Sequence, residues 1–232
     1  MAAAPEDRQV PVPPGNVKAR LKESYDIIAP AYNEWTAQHS SLRIEYLEKL
    51  MEKLLAAKPL SGQMSRVLEL GCGCGLPATE RLLLAPDVFV TANDLSSTQI
   101  ALARENLAHH GTDRVAFVEG DMTGLDFADA SFDAVVAMYS IIHLPRDEQS
   151  DIIRRIAKWL KPGGLLLANF ASENMPGLVM DKWIHERGWM YWSSWGADET
   201  LSKIKDAGLE VILDDVVQDE VDATFLWILA KK

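Results

Sequence analysis

Hydrophobic and polar positions along the chain change their period near residue 60. Before that point, between Lys18 and Lys58, apolar residues return every three or four positions, which predicts amphipathic helices. Because a proline inside a helix removes a hydrogen bond and clashes with the preceding turn, Pro30 predicts a break after Ala29 and at least two helices. Residues 1–16 carry four prolines and little that could pack, so we predict a disordered tail there.

After residue 60, short apolar runs alternate with amphipathic segments. The runs that predict the first five strands are RVLEL, VFVTAND, RVAFVEGD, FDAVVAMYS and LLLANF. Helical segments such as STQIALARENLAHHG separate them, and VILDDVV and ATFLWILA follow as a closing pair of strands. Strands that are apolar throughout are buried on both faces, so the alternation predicts an α/β fold with a mostly parallel sheet between helices. The stretch 171–199 fits neither period and is predicted to be irregular.

The first predicted strand runs into an unusually bare turn, VLELGCGCG. Glycines such as Gly71 and Gly73, at the end of a first parallel strand, let the backbone pass close to a ligand. Asp94 ends the second strand. A carboxylate at that position can accept both ribose hydroxyls of an adenosine-containing cofactor, or it can cap the helix that follows. The turn therefore predicts a nucleoside site, with both interpretations of Asp94 open.

The charge around the turn favours one class of adenosine cofactor over another. A dinucleotide would place its pyrophosphate where Glu69 repels it, and Leu76 stands where the dinucleotide pattern requires a third glycine. S-adenosylmethionine carries an ammonium and a sulfonium instead. Glu69 suits its methionine end, Asp94 its ribose, and Asp121 in EGDM its adenine amino group. We predict S-adenosylmethionine as the cofactor and keep an NAD-dependent oxidoreductase as a less favoured alternative.

The composition of the chain restricts the partners and the cellular location that such a site is expected to have. The chain has 232 residues, a net charge of -11 and two cysteines, Cys72 and Cys74, both in the turn. The negative charge disfavours a nucleic-acid partner, and two thiols this close together without nearby histidines suit neither a disulfide nor a metal site. Since the sequence shows no signal peptide and no long charge-free apolar run, we expect a cytoplasmic protein without a membrane partner, as a monomer or homodimer.

Five motifs, in this order and spacing, resemble those of the class I S-adenosylmethionine-dependent methyltransferases. They are VLELGCGCG, NDLS, EGDM, FDAVVAMYSIIHL and LKPGGLLLANF, and they are most similar to the small-molecule branch that includes ubiquinone- and menaquinone-biosynthesis-like enzymes. The resemblance implies one Rossmann-like domain over 17–232, with a seven-stranded sheet of order 3-2-1-4-5-7-6 whose last strand is antiparallel. It also implies that residues 17–60 form a helical lid over the cofactor.

The same resemblance assigns further residues to the cofactor. They are Gly71 and Gly73 beside the methionine portion, Leu95 and Met122 beside the adenine, and Tyr25 and Tyr32 in the segment YDIIAPAYNEW, which is similar to one that folds over the cofactor. These assignments are expectations that the resemblance carries, since no single motif specifies them.

Residues after the fourth strand and in the insertion suggest where the methyl group goes. A hydroxyl acceptor usually requires a base, and His143 follows the fourth strand on the expected rim. Tyr139, at the tip of that strand, is assigned to the cofactor site, with the substrate pocket as the alternative. The alternative for His143 is a packed, inert histidine. Residues 171–199 hold four tryptophans and predict a cap over a flat or apolar molecule, with Trp192 as a substrate contact. These rings would otherwise pack on the N-terminal helices or in a dimer interface.

The sequence therefore predicts S-adenosylmethionine-dependent methyl transfer to a small molecule, with oxygen favoured over sulfur or nitrogen as the acceptor. A protein that binds the cofactor without transferring its methyl group stays open as an alternative, because an intact pocket does not by itself demonstrate turnover.

Overall fold

Seven strands of the chain form one sheet, and a two-stranded hairpin forms a second. The structure is a computed structural model that describes residues 13, 15–57, 63–111, 113–219 and 223–232. The predicted tail over 1–16 and the predicted lid end at 58–60 lie almost entirely outside the described residues. The helices of the described chain are α1 Val17–Gln38, α2 Ser41–Ala56, α3 Ala78–Leu83, α4 Ser97–Asn106, α5 Arg146–Trp159 and α6 Ala197–Asp206.

The large sheet has the strand order β3-β2-β1-β4-β5-β9-β8. Its strands are β1 Ser65–Leu70, β2 Val88–Asp94, β3 Val115–Glu119, β4 Phe132–Ala137, β5 Leu160–Ala171, β8 Glu210–Gln218 and β9 Thr224–Lys231. The strands from β3 to β5 are parallel, and β9 is antiparallel to both β5 and β8. The predicted order and the antiparallel last strand are confirmed, with the sixth and seventh strands of the prediction corresponding to β8 and β9.

The central strands are buried because helices cover both faces of the sheet. One face packs against α2 and α3, through residues such as Leu50 and Leu82, and the other against α5 and α6, through Ile156 and Ile204. This two-sided burial explains why β1, β4 and β9 are nearly continuous apolar runs. None of the described helices has the length and apolarity needed to span a membrane.

The predicted helix break at Pro30 is wrong. Helix α1 continues through Pro30 to Gln38, and the chain turns only at His39. Pro30 itself is exposed, whereas Ile28 and Ala29 are buried against the domain. Packing of α1 on α4 and on the hairpin thus outweighs the local cost of a helical proline, about 3 kcal/mol.

The insertion predicted to be irregular is a β-hairpin. Its strands are β6 Asn174–Asp181 and β7 Trp189–Trp195, paired antiparallel. The pattern of β6 was obscured by Pro176 and Gly177, which signal a turn in a sequence but here coincide with a register shift between Met175 and Leu178. The hairpin and α1 together cover the carboxyl ends of the parallel strands, where the candidate site lies.

Candidate active site

A cavity of about 100 Å³ lies at the carboxyl ends of β1 to β4, under α1. Every residue assigned to the cofactor from the sequence, except Glu69, lines it. They are Tyr25, Tyr32, Gly71, Gly73, Asp94, Leu95, Asp121, Met122 and Tyr139, and His143 joins them at one end. The topology brings these residues together because the parallel strands all end at the same edge of the sheet.

Two of the three glycines in the turn, Gly71 and Gly73, serve different purposes. Gly71 and Gly73 both have positive φ angles, of 78° and 56°, a region that favours glycine. A Cβ at Gly71 would lie 2.4 Å from Cβ of Ser140, so this glycine allows the segment after β4 to approach the turn. A Cβ at Gly73 would meet no atom within 4 Å, so this glycine leaves space beside the cavity open.

Glu69 does not line the cavity. Its side chain is 4% exposed, and the Thr79 hydroxyl of α3 donates to its carboxylate at 2.6 Å. Burial raises the pKa of the Glu69 carboxyl to about 8, so it is mostly protonated at neutral pH. It therefore supports the turn from behind, and direct contact with the methionine end of a cofactor stays a prediction.

The Asp94 carboxylate is hydrogen-bonded to the backbone of the glycine turn. One carboxylate oxygen accepts from the Gly73 N–H and the other from the Ser96 N–H, both at 2.8 Å. Burial raises the pKa of Asp94, while these two hydrogen bonds favour the charged form. The helix-cap interpretation of Asp94 is wrong, because Ser96 caps α4 by accepting from the Gln99 N–H.

Asp121 is held by the lid. Its carboxylate forms an ion pair with Lys18 of α1 at 2.6 Å and accepts from the Thr123 hydroxyl. Burial opposes ionisation of Asp121, but the hydrogen bonds from Lys18 and Thr123 outweigh it and keep its pKa below the ordinary value. Lys18 also pairs with Glu148 at 2.6 Å. The sequence analysis missed Lys18, because a lysine in the first turn of an amphipathic helix looks like any solvated charge.

His143 has a defined protonation state. Its Nδ1 lies 2.9 Å from the carbonyl oxygen of Tyr191, and its Nε2 lies 2.9 Å from the Tyr25 hydroxyl. Because a carbonyl can only accept, Nδ1 carries the proton and the Nε2 lone pair accepts from Tyr25. Burial lowers the pKa of His143 to about 4, so the ring is neutral at physiological pH.

A second and larger cavity, about 490 Å³, lies between α1, α2 and the hairpin. Tyr25, Tyr32, Tyr139 and His143 line both cavities and so form the boundary between them. Much of the remaining wall is aromatic, and it includes Trp35, Trp183, Trp192 and Phe225. Of the four tryptophans predicted to form a cap, Trp183 and Trp192 therefore line this cavity.

The other two tryptophans of the hairpin are structural. Trp189 is buried under the Arg20 guanidinium, which lies 4.1 Å from its ring centroid. The Trp195 indole N–H donates to the Arg146 carbonyl at 3.0 Å. The alternative of packing on the N-terminal helices therefore describes Trp189, whereas Trp195 packs against α5 and α6, and the substrate role of Trp183 and Trp192 stays a prediction.

Tyr139 holds a strained position at this boundary. Its φ angle is 54°, uncommon for a bulky residue, and its N–H donates to Asn169 Oδ1 at 2.6 Å. Its hydroxyl donates to Asp219 at 2.9 Å, and the Arg43 guanidinium lies 4.3 Å above its ring. Strain of this kind is retained where the surroundings hold it in place, and it clusters at functional sites.

The first cavity has the chemistry that S-adenosylmethionine requires. Two carboxylates, Asp94 and Asp121, line the cavity at the edge of the sheet. Open space borders Gly73 and Gly120, which also line it. The Ser140 hydroxyl, buried at this cavity, has no hydrogen-bond partner among the described residues. The two carboxylates, the bare glycine backbone and the unpartnered Ser140 hydroxyl are groups that fit S-adenosylmethionine.

Comparisons with known proteins agree with this geometry. A protein family described as a methyltransferase domain matches residues 67–164, from β1 to the middle of β5. The 27-O-demethylrifamycin SV methyltransferase of Amycolatopsis mediterranei (strain S699) is 34% identical over 180 residues, 76% of this chain and 64% of the relative. The demethylmenaquinone methyltransferase of Clavibacter sepedonicus is 35% identical over 124 residues, 52% of this chain and 46% of the relative. The chain thus spans less than two thirds of the length of either curated relative.

A solved structure shares the fold over the whole chain. The Burkholderia thailandensis 1,6-didemethyltoxoflavin-N1-methyltransferase, solved with bound 1,6-didemethyltoxoflavin and S-adenosylhomocysteine, superposes with a TM-score of 0.74 at 20% identity. The superposition covers 100% of this chain and 93% of that one. At this identity the likeness establishes a common fold.

Proposed function

Because this chain belongs to the class I S-adenosylmethionine-dependent methyltransferases, we propose that it transfers a methyl group to a hydroxyl of a flat, largely apolar small molecule. The cofactor occupies the cavity at the strand ends, and the acceptor occupies the larger aromatic cavity under the hairpin. S-adenosylmethionine, when bound, supplies a methyl group activated by the adjoining sulfonium.

The observation that carries this proposal is the position and tautomer of His143. It lies on the boundary between the two cavities, where an acceptor atom would meet the methyl group, and its Nε2 is an unprotonated acceptor. A hydroxyl is a weak nucleophile that gains from losing its proton as it attacks, whereas a thiol or amine depends less on a base. A neutral imidazole at this position therefore favours oxygen as the acceptor atom.

Tyr25 keeps His143 ready for this role. Its hydroxyl donates to Nε2 in the structure, so the lone pair of the base is satisfied by a group that an acceptor hydroxyl can replace. Burial raises the pKa of Tyr25 well above its ordinary value, so Tyr25 keeps its proton and does not transfer it to His143. Trp183 and Trp192 exclude water from the same region and hold the acceptor ring close to the base.

The residues of the smaller cavity would bind and orient S-adenosylmethionine. Asp94 would hold the ribose hydroxyls, Asp121 would accept from the adenine amino group, and Leu95 and Met122 would pack beside the adenine. The backbone at Gly71 and Gly73 lies beside the methionine portion, and Glu69 supports that backbone through Thr79. Tyr32 and Tyr139 close the cavity from the acceptor side.

The test is turnover with a panel of phenols, enols, thiols and amines, monitored by mass spectrometry for the methylated product and S-adenosylhomocysteine. We expect methylated phenols or enols, and a fall in turnover of about 100-fold or more in His143→Gln with cofactor affinity within about twofold. His185→Gln, an exposed histidine at the hairpin tip, is the matched control.

Three results would count against parts of this proposal. Equal turnover of His143→Gln and wild type would assign His143 to packing. A product methylated only on sulfur or nitrogen would correct the acceptor atom. Tight cofactor binding with no product from any class would favour the alternative of a protein that binds S-adenosylmethionine without transferring its methyl group.

A further inference from the structure

We propose that Arg43 is the anchor of an anion subsite in the acceptor cavity, so that the substrate is a hydroxylated aromatic carboxylic acid. This inference rests on the proposed function, because it names the substrate class of the same site. It adds a second recognition point, a carboxylate held by α2, to the hydroxyl recognised by His143.

Arg43 is the only lysine or arginine that lines the larger cavity in the described chain. It lies in the first turn of α2, and its guanidinium stacks on the ring of Tyr139 with 4.3 Å between the guanidinium carbon and the ring centroid. One of its amino groups donates to the His39 carbonyl at 2.9 Å. The guanidinium is thus fixed at two points, with a flat ring behind it and the cavity beside it.

The positive charge of Arg43 has no carboxylate partner among the described residues. None of their carboxylate oxygens lies within 4.0 Å of its guanidinium nitrogens. A guanidinium has five N–H donors, and the bond to His39 uses one of them. The free donors form a planar fork that matches a carboxylate in two parallel hydrogen bonds, which are stronger than bonds between neutral groups.

Two acidic residues also line this cavity, and they confine where an anion can bind. Asp219 accepts from the Tyr139 hydroxyl at 2.9 Å, so it meets that ring at its edge while Arg43 meets its face. Glu173 is exposed at the rim next to the hairpin. Both acidic side chains repel an anion. A carboxylate ligand therefore interacts favourably with this cavity only beside Arg43.

The field of Arg43 also reaches the tyrosines at the boundary of the two cavities. Burial raises the pKa values of Tyr25, Tyr32 and Tyr139, and the charge of Arg43 opposes this rise for all three. A phenolic acceptor beside these hydroxyls experiences the same field, which favours its ionised form during transfer. The positive charge of Arg43 therefore makes this part of the cavity favourable for an anion.

The aromatic walls define the rest of the ligand. Trp35, Trp183 and Trp192 form one continuous aromatic wall, with neighbouring ring centroids 6.0 and 5.7 Å apart, which suits a ring between the carboxylate and the hydroxyl. A hydroxylated aromatic acid places an anion, a flat apolar body and a nucleophile in the order in which the cavity presents Arg43, the tryptophans and His143.

The test is calorimetric binding to the full chain with S-adenosylhomocysteine present. The probes are para-hydroxycinnamate and a two-ring hydroxynaphthoate, each paired with its carboxamide, together with tyramine as a cation of similar shape. We expect wild type to bind the acids at least tenfold (about 1.4 kcal/mol) more tightly than the amides. Arg43→Gln should remove this preference, Arg43→Lys should keep part of it, and Arg154→Gln, an exposed arginine on α5, should leave it unchanged.

The proposal is overturned if the acids do not bind, if the amides or tyramine bind as well as the acids, or if Arg43→Gln weakens acid and amide equally. Since binding is measured without turnover, its outcome is separate from that of the proposed function. Acids that bind through Arg43 but are never methylated, while uncharged phenols are, would overturn the acid as substrate and leave the proposed function standing. Acids that bind through Arg43 when no hydroxyl compound is methylated would contradict the proposed function instead.

Discussion

The protonation state of His143 is set by its surroundings and has a consequence for pH dependence. An exposed histidine would lose activity as a base near pH 6.5, whereas His143, with its pKa lowered to about 4 by burial, stays neutral far below that. We therefore expect kcat/KM for a phenol without other titrating groups to stay level down to about pH 5.5 and to fall only toward pH 4.

Acidification also lowers the stability of the folded protein through His143. A histidine with a lowered folded-state pKa binds its proton first in the unfolded chain, so its contribution to stability is complete above pH 6.5 and is lost as pH falls toward 4. The profile is accordingly measured with circular dichroism at each pH. A decline in activity centred near pH 6.5 in fully folded protein would contradict the neutral buried base.

Asp94 is the second residue with a sharp test. Each of its oxygens accepts one backbone N–H and keeps a lone pair for a ribose hydroxyl. Asp94→Ala should weaken S-adenosylmethionine binding at least tenfold, or about 1.4 kcal/mol, as measured by calorimetry. Asp126→Ala, at an exposed position outside the site, is the control. Unchanged affinity in Asp94→Ala would remove Asp94 from the cofactor site.

At the scale of elements, helix α1 connects the cofactor cavity to the hairpin. Lys18 reaches Asp121 and Glu148, Asp26 accepts from the Ser96 hydroxyl, and Tyr25 reaches His143. The helix therefore contacts Asp121, the start of α4 and His143 at once. Any displacement of α1 would change all three contacts, so the helix couples the smaller cavity to the larger one.

One hydrogen bond joins α1 to the hairpin in a fully buried place. The Trp189 N–H at the start of β7 donates to the Ser24 hydroxyl at 2.8 Å, and the two residues are 4% and 2% exposed. Ser24→Ala leaves that N–H without a partner, so the free energy of unfolding in urea should fall by about 1–3 kcal/mol. The control Ser202→Ala, exposed on α6, should change it by less than about 0.5 kcal/mol. Equal effects of both substitutions would mean that this contact does not hold the lid.

For the whole molecule, cofactor identity can be measured through stability. A ligand at about a hundredfold excess over its Kd stabilises the folded state by about 2.7 kcal/mol, which for a domain of this size raises Tm by about 5–10 °C. We expect this shift with S-adenosylmethionine and S-adenosylhomocysteine, and none with NAD, in thermal scans of the same protein. A shift with NAD alone would contradict the cofactor assignment and restore the oxidoreductase alternative.

Much of this architecture follows from the sequence alone. Strand after strand of buried apolar residues, separated by helical periods, leads to a parallel sheet, and the bare turn at Gly71 with acids at Asp94 and Asp121 marks its functional edge. These features are local, because a strand end, a positive φ angle and a carboxylate at fixed spacing need no knowledge of distant residues. The lining of the cavity at the strand ends was therefore predictable nearly residue by residue, and its contacts with a cofactor stay predictions.

The tertiary structure decided what depends on contacts between distant segments. Packing held α1 straight through Pro30, and pairing turned 174–195 into a hairpin despite Pro176 and Gly177. Burial against Thr79 placed Glu69 behind the turn, although its charge pattern suggested the cavity. The tautomer of His143, set by Tyr191, and the stacking of Arg43 on Tyr139 join residues far apart in the chain. Desolvation and hydrogen bonding act through space, so these protonation states and contacts follow only from the folded arrangement.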